Sequence, residues 1–246
     1  LPLAKKAKAA GIPTIGWVSP QVWAWRPNRA KTIGKALDHL LCLFDFEPPL
    51  FDETDAQWLG HPVIDRYTKR RRVDPTLIGL TPGSRRAEVD RIWPRFVAAA
   101  AEIRKRKPET KFKVVSPIEN LDVPLWIQRG STVSELSEAR AVLTKSGTIT
   151  LELAVMGVPQ VVAHRVHPVT YGIGRQMIRG IHHIAMPNIL AGKEVVPEFI
   201  QHLDPMELAE AILALPDVQD VDLSSLGQPG AIDRTAQRVL EWMGEA

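Results

Sequence analysis

The chain has 246 residues, of which 45% are hydrophobic and 24% charged, as in globular proteins that form one large or two small domains. Its single cysteine, Cys42, excludes an intramolecular disulfide, and no run of about 18 apolar residues predicts a membrane span. The net charge of +3 is a mild excess that suits anionic ligands or a membrane surface.

The first part of the chain alternates short helices with apolar runs. We predict a basic helix over Leu1–Ala10, ended by Gly11, and strands at Thr14–Val18 and Leu40–Phe44. The stretch S-P-Q-V-W-A-W-R, residues 19–26, lies in a region that holds three of the seven tryptophans. Clustered aromatic side chains most often pack in a core, although they can also form a surface for a lipid or a sugar.

A basic stretch separates this part from the rest. Before it, Trp58–Pro62 predicts a strand end and a turn, in which His61 is more typical of a structural histidine than of a ligand-binding one. Lys69–Arg72, followed by Val73–Pro75, has the composition of a hinge or linker. We therefore expect a domain boundary near residue 72.

After the boundary an α/β pattern starts again. A strand at Leu77–Leu80 leads into the turn Pro82–Arg85 and then into a helix that opens near Glu88. Gly83 and Ser84 can offer backbone N–H groups, and Arg85 can pair with a phosphate or a carboxylate. Taken alone, Arg85 is interpreted equally well as an arginine on a surface loop.

The stretch from 143 to 164 has the pattern strand, tight turn, helix, strand. Its turn, Ser146-Gly147-Thr148, precedes a helix that ends at Gly157. The N-terminus of a helix at the carboxyl end of a parallel strand is a natural seat for a phosphate, although a simple helix cap is the commoner structure. Glu152, one turn into the helix, is either a solvated charge or a partner for a sugar hydroxyl.

The two turns are expected at the same edge of one parallel sheet. Both follow a predicted strand directly, and the carboxyl ends of parallel strands share an edge. Several donors at one edge favour a diphosphate-binding site over the interpretation that each turn only caps its helix.

The C-terminal part adds helices but no metal site. Four histidines could suggest a metal site: His164, His167, His182 and His183. They lack the compact ligand spacing of such a site and have no nearby cysteine, so we predict no metal. Helices are predicted at Thr170–Arg179 and from Asp204 to Leu213. After the break at residues 227–230, apolar residues form a stripe on a last helix, which either crosses back to the first domain or pairs with another subunit: Ile232, Ala236, Val239, Leu240 and Met243.

Five motifs together resemble the lipid-A-disaccharide synthase family. They occur in the family's order along nearly the whole chain: S-P-Q-V-W-A-W-R at residues 19–26, G-H-P at 60–62, P-G-S-R with Glu88 at 82–88, S-G-T with Glu152 at 146–152, and P-N-I-L-A-G at 187–192.

The resemblance implies an α/β, GT-B-like fold with two Rossmann-like domains, of which this chain would hold one complete domain and the C-terminal part of the other. It implies an inverting hexosyltransferase that joins UDP-2,3-diacylglucosamine to 2,3-diacylglucosamine 1-phosphate and releases UDP. Such an enzyme works at the cytoplasmic face of the inner membrane, with a UDP-sugar donor and a lipid monosaccharide acceptor. It needs no cofactor and binds no nucleic acid. A homodimer is a further expectation.

The resemblance also assigns domains and site residues. Residues 1–72 would be the remnant of an acceptor-side domain, residues 73–228 the UDP-sugar-binding domain, and residues 229–246 a helix that crosses back or is swapped. The residues expected to bind substrate are Gly83, Ser84, Arg85, Ser146, Gly147, Thr148, Glu152, Arg165 and Asn188.

The chain departs from the family in two places. A further N-terminal portion, with a glycine-rich turn and the acidic residue thought to act as general base, is missing, so we expect the chain alone to be inactive and assign no catalytic residue. The family's L-P-F-E reads Phe44-Asp45-Phe46-Glu47, and the stretch after Pro117 is shortened. A UDP-sugar epimerase and a non-catalytic module that binds UDP-sugar or lipid are the competing interpretations.

Overall fold

The computed structural model describes residues 1–25, 27–67, 72–166 and 183–244. It forms two compact units, one made of Leu1–Arg66 with Leu223–Ala246 and the other of Tyr67–Asp222. None of the helices in these described ranges combines the length and the apolar character that crossing a membrane requires. The predicted helix Thr170–Arg179 and most of the hinge Lys69–Arg72 lie outside the described residues.

The helices and strands alternate along both units. The helices are α1 (Pro2–Ala9), α2 (Val22–Trp25), α3 (Arg29–Gly34), α4 (Val63–Arg66), α5 (Arg86–Arg106), α6 (Ile149–Met156), α7 (Met186–Ala191), α8 (Pro205–Ala214) and α9 (Ala231–Gly244). The strands are β1 (Ile15–Trp17), β2 (His39–Cys42), β3 (Asp55–Trp58), β4 (Asp74–Thr81), β5 (Lys111–Val115), β6 (Ile127–Gly130), β7 (Ala139–Lys145), β8 (Gln160–His164) and β9 (Glu198–Ile200). A 3₁₀ turn, Val133–Leu136, precedes β7.

The first unit is built on a parallel three-stranded sheet in the order β1–β2–β3. Its core is formed by buried side chains from the sheet and the short helices: Val22, Ala30, Ile33, Leu40, Cys42 and Phe51. Helix α9 belongs to this unit, and the Trp242 ring stacks on the His39 ring with centroids 4.2 Å apart. Asp65 from α4 accepts hydrogen bonds from the N–H groups of Gly230 and Ile232, which caps the start of α9.

Two sequence motifs of the first unit meet at the buried carboxylate of Glu47. One oxygen accepts hydrogen bonds from Ser19 Oγ at 2.6 Å and from the N–H groups of Leu43 and Phe44, and the other accepts one from Trp23 Nε1 at 2.9 Å. Burying a carboxylate is tolerated because these donors replace its water shell. The S-P-Q-V-W motif is therefore anchored through Ser19 and Trp23 to a buried carboxylate, whereas Trp17 is 57% exposed.

The second unit is a six-stranded parallel sheet in the order β6–β5–β4–β7–β8–β9. Taken in chain order this is 3-2-1-4-5-6, the arrangement of a Rossmann-like domain, so the predicted complete Rossmann-like domain is confirmed. The strand order reverses between β4 and β7, which makes their carboxyl ends the topological switch point of the sheet. The apolar face of α5 covers this sheet with Ile92, Phe96 and Ile103, all buried.

Candidate functional site

The switch point brings the two predicted turns side by side. Strands β4 and β7 are hydrogen-bonded neighbours, with Leu80 opposite Leu143 and Thr81 opposite Thr144. The two threonine hydroxyls form a buried hydrogen bond of 2.7 Å at the ends of the strands. The chain enters both turns from this point, and ligands of open α/β sheets bind in the crevice outside it.

The first turn connects β4 to α5. Gly83 has a φ of 105°, a conformation that residues with a Cβ rarely adopt, and its carbonyl accepts a hydrogen bond from Ser116 Oγ at 3.1 Å. Ser84 is exposed, and Arg85 precedes the first helical residue with 78% of its side chain exposed. The turn thus presents an arginine and the partial positive charge of a helix N-terminus at the switch point.

The second turn connects β7 to α6. Gly147 has a φ of 154°, and a Cβ added to it would meet no heavy atom within 4 Å, so the space beside this backbone is open to a ligand. The hydroxyl of Thr150 donates to the Gly147 carbonyl at 2.7 Å and fixes the turn. Thr148 is exposed beside it. Ser146 is buried, and its hydroxyl hydrogen-bonds His164 Nδ1 at 2.7 Å.

An ion pair that sequence analysis did not assign to the site joins the two turns. Lys145, the last residue of β7, places Nζ 2.8 Å from Glu88 Oε2, and both side chains are more than four-fifths buried. Arg85 Nη1 lies 3.2 Å from the other oxygen of Glu88. A Cβ on Gly83 would lie 3.3 Å from Lys145 Cδ, so the lysine side chain also packs on the first turn. The sequence signal that could have placed Lys145 in the site is its position directly before the predicted turn residue Ser146.

The cluster sets the protonation of its members. Burial opposes ionisation of Glu88, but hydrogen bonds and charges from Lys145 and then Arg85 outweigh it and lower the pKa of the carboxyl. Burial, and then the charge of Lys145, lower the pKa of His164. Near neutral pH Glu88 is therefore a carboxylate and His164 a neutral imidazole.

Glu152 and Asn188 occupy different environments. Glu152 Oε2 accepts a hydrogen bond from the Tyr67 hydroxyl at 2.9 Å, and the Glu152 side chain is only partly buried. Asn188 is fully buried, and its amide donates to the Val196 carbonyl and Glu198 while its oxygen accepts from the N–H groups of Val195 and Val196. These four bonds use the hydrogen-bonding capacity of the Asn188 side chain, which therefore holds the chain after α7.

Arg165 follows β8 directly and is partly exposed. No described group of three or more His, Cys, Asp or Glu side chains is arranged to hold a metal ion. His167 and His182 lie outside the described residues.

Comparisons with known proteins add sequence relatives and structural neighbours. The sequence pattern of the family described as lipid-A-disaccharide synthetase matches residues 1–220. The chain is 34% identical to the lipid-A-disaccharide synthase of Geobacter sulfurreducens over 99% of its own length and 72% of that protein, and 36% identical to that of Syntrophus aciditrophicus over 98% and 72%.

Solved structures resemble the chain in fold. UDP-GlcNAc 2-epimerase from Neisseria meningitidis, determined bound to UDP-GlcNAc, has a TM-score of 0.60 at 13% identity, covering 97% of this chain and 72% of that one. The UDP-GlcNAc 2-epimerase of Methanocaldococcus jannaschii has a TM-score of 0.57 at 14% identity, covering 97% and 73%. At these identities the likeness establishes a GT-B-like fold and nothing about the reaction.

Proposed function

The chain belongs to the lipid-A-disaccharide synthase family, and on this basis we propose that its second unit holds the UDP part of the sugar donor at the carboxyl ends of β4 and β7. Lipid A disaccharide synthesis is the function of the family. The proposed reaction joins UDP-2,3-diacylglucosamine to 2,3-diacylglucosamine 1-phosphate and releases UDP.

One observation carries the proposal: two glycine turns, two helix N-termini and two cations converge at the switch point of a Rossmann-like sheet. Gly83, Ser84, Gly147 and Thr148 line these turns, and a diphosphate needs several donors at once. Arg85 has an exposed guanidinium, and Lys145 lies between the turns. In the proposal both cations compensate the charge of the diphosphate.

The same charges would help the chemical step. In an inverting transfer the acceptor hydroxyl attacks the anomeric carbon of the donor sugar in a single displacement. The bond from that carbon to the diphosphate breaks, and its electron pair stays on the leaving oxygen. Cations and helix N-termini aimed at that oxygen stabilise the growing charge. The acceptor proton must pass to a base, a role for which the proposal names no residue.

Three further predicted residues have more indirect roles in the proposal. Glu152 would accept hydrogen bonds from ribose hydroxyls, since its carboxylate is partly accessible and oriented by Tyr67. Asn188 would act by holding the chain around α7, because its side chain is saturated. Buried Ser146 would orient its turn through His164.

The membrane and assembly predictions remain part of the proposal. We infer a peripheral location at the cytoplasmic face of the inner membrane because the lipid acceptor resides in a bilayer. A homodimer remains a prediction; several apolar side chains of α9 are exposed and could contribute to it: Ile232, Leu240 and Met243.

Calorimetric titration with UDP tests the proposed site. Arg85→Ala and Lys145→Met should each weaken UDP binding about tenfold or more, because each removes a charge-assisted contact worth about 1.5–3 kcal/mol. The matched control is Lys113→Met. Lys113 also lies on a strand of this sheet, pairs with Glu135 at 3.2 Å and is as buried as Lys145, with 16% of its side chain exposed.

The control variant should bind UDP within about twofold of the wild type, since a distant charge is screened by salt. Folded Arg85→Ala and Lys145→Met variants that bind UDP as tightly as the wild type would mean that the nucleotide lies elsewhere. Equal weakening in all three variants would reduce the effect to net charge and contradict the proposed site.

A further inference from the structure

A second concave surface of the second unit lies along the flank of α5. It is a groove of about 430 Å³ lined by Arg91, Pro94, Arg95, Ala98, Arg165 and Val166, which we call the arginine groove. Its volume is within the range of small-molecule sites, about 300–1,000 Å³. None of the two glycine turns' residues lines it.

Among the described residues, the groove concentrates positive charge without a carboxylate in its lining. In the described part of the chain, Arg91, Arg95 and Arg165 form no ion pair, and Arg91 donates only to a carbonyl of its own helix. The carboxylates on the neighbouring turn of α5 are engaged elsewhere, Asp90 with Arg86 and Glu88 with Lys145 and Arg85.

The groove is formed by a continuous helix on one side and a fixed loop on the other. Arg91, Arg95 and Ala98 are spaced four and three residues apart, so they share one face of α5. On the other side, Gln201 holds the backbone after β8: its side-chain oxygen accepts from the Val166 N–H at 2.8 Å, and its own N–H donates to the His164 carbonyl at 2.8 Å.

Backbone strain supports the importance of this anchor. Gln201 has a φ of 66°, a conformation unfavourable for a residue with a Cβ, which persists only where the surroundings impose it. Arg165, between the two anchored residues, lines the groove. Arginines from both walls thus line one groove.

We propose that the arginine groove binds a phosphomonoester, separately from the diphosphate turns. Arginine pairs with phosphate oxygens through two parallel hydrogen bonds, and three arginines match the charge of about −2 that such a group carries. The apolar side chains of Pro94, Ala98 and Val166 provide a surface for the carbon part of the ester. The ligand is either a lipid whose headgroup ends in a phosphomonoester or a soluble phosphate ester; the lipid source rests on the proposed function, whereas the anion site does not.

The groove is displaced along the helix from the first turn. At a rise of about 1.5 Å per residue, Arg91 and Arg95 lie roughly 8 and 14 Å along α5 from its first residue. Substituting them therefore leaves the glycine turns, Arg85 and Lys145 in place, and the two sites are separable by experiment.

Vesicle co-sedimentation and calorimetry test the proposal on the protein as it stands. The lipid arm compares vesicles of phosphatidylcholine alone with vesicles that also contain phosphatidic acid. The soluble arm titrates glycerol 3-phosphate. The double variant Arg91→Gln/Arg95→Gln should lose about tenfold or more of the affinity for the ligand that the wild type binds.

The matched control is Arg104→Gln/Arg106→Gln, which removes the same charge from the same helix. Arg104 lies over the Trp126 ring and Arg106 pairs with Glu210, so neither lines the groove. The control should bind within about twofold of the wild type, and both double variants should keep wild-type UDP binding. Binding to the vesicles that contain phosphatidic acid, without binding of glycerol 3-phosphate, identifies a lipid ligand. Binding of glycerol 3-phosphate identifies soluble esters as ligands.

Four results would overturn the proposal. Equal losses in the two double variants would indicate general attraction to a basic helix. If the Arg91→Gln/Arg95→Gln variant binds the ligand with the affinity of the wild type, the groove is not the site. The same follows if the wild type binds neither ligand. Joint loss of UDP binding in that variant would make the groove part of the nucleotide site. Failure of UDP binding in the wild type, by contrast, concerns only the proposed function.

Discussion

Residues that lie in family motifs differ in how accessible their side chains are to a ligand. Arg85 and Asn188 both lie in motifs of the family, but 78% of the Arg85 side chain is exposed whereas Asn188 is fully buried. The residue types of the turns were predictable because glycine, serine and arginine each have a known use at an anion site. The pairing of Lys145 with Glu88 was not, because it depends on which strands are neighbours.

His61 illustrates a residue whose chemistry is set by packing. It lies in the G-H-P motif, is 9% exposed, and accepts a hydrogen bond from the Val63 N–H through Nδ1 at 3.1 Å. Its ring lies 5.3 Å from that of Phe44. Burial lowers the pKa of His61 to about 4. The interpretation of His61 as a structural histidine agrees with this environment.

A pH-dependent stability follows from His61. Its pKa is about 6.5 when unfolded and about 4 when folded, so the unfolded chain binds more protons between these values. The contribution of His61 to the free energy of unfolding is complete above pH 6.5. It is lost as the pH falls to about 4, which lowers the free energy of unfolding by up to about 3 kcal/mol. Denaturant unfolding followed by tryptophan fluorescence measures it, because five of the seven tryptophans lie in the first unit.

His61→Asn should remove most of this pH dependence, since asparagine can accept from the Val63 N–H but does not titrate. The exposed His202 provides the control, and His202→Asn should keep the wild-type slope. An unchanged slope in the His61→Asn variant would show that the acid sensitivity arises elsewhere.

Among the elements, the order of the strands decides where the site is. Hydrophobic runs predicted β4, β7 and β8 as buried strands of a parallel sheet, and Gly157 ends α6 with a φ of 71°, as expected of a left-handed cap. That β7 pairs with β4 is a property of the folded sheet. It places Lys145 beside Gly83 and creates the switch point.

The segment around α7 depends on a buried polar cluster. Glu198 on β9 accepts hydrogen bonds from the N–H groups of Ile184 and Ala185 and from Asn188. Asn188 in turn holds Val195 and Val196. Because Asn188 is fully buried and only 4% of the Glu198 side chain is exposed, the loss of one leaves hydrogen-bonding groups of the other without a partner.

Asn188→Ala should therefore destabilise the second unit by about 2–4 kcal/mol, through unsatisfied buried groups. Hydrogen exchange read on the amides of β8 and β9 measures the effect. Asn120→Ala, at an exposed asparagine of the same unit, should change protection little. An Asn188→Ala variant that keeps wild-type protection but loses UDP binding would instead make Asn188 a direct ligand contact.

At the scale of the whole molecule, the chain folds into two units with separate cores, and the first unit contains both ends of the chain. The sequence left open whether the last helix returns to the first unit or joins another subunit. In the structure, the Asp65 cap and the ring of Trp242 attach α9 to the first unit. The functions of the two units, acceptor side and UDP side, remain predictions.

Trp242→Ala should accordingly destabilise the first unit alone. Trp242 is 5% exposed, and truncating a buried aromatic side chain costs about 3–5 kcal/mol. Hydrogen exchange should show lower protection of β2 and β3, with no change in β4 and β7. Leu240→Ala, at a position that is 67% exposed on the same helix, is the control. Equal loss of protection in both units would contradict separate cores.

The sequence by itself determined the α/β class, most elements, the family and the residue types of the two turns, because these follow from local periodicity, turn chemistry and linear motifs. Only the tertiary structure decided that Lys145 and Glu88 join the turns, that Glu47 anchors the tryptophan motif, that Asn188 is saturated, and that three arginines share a groove. These depend on contacts between distant segments, and strand order and burial fix such contacts after the chain has folded.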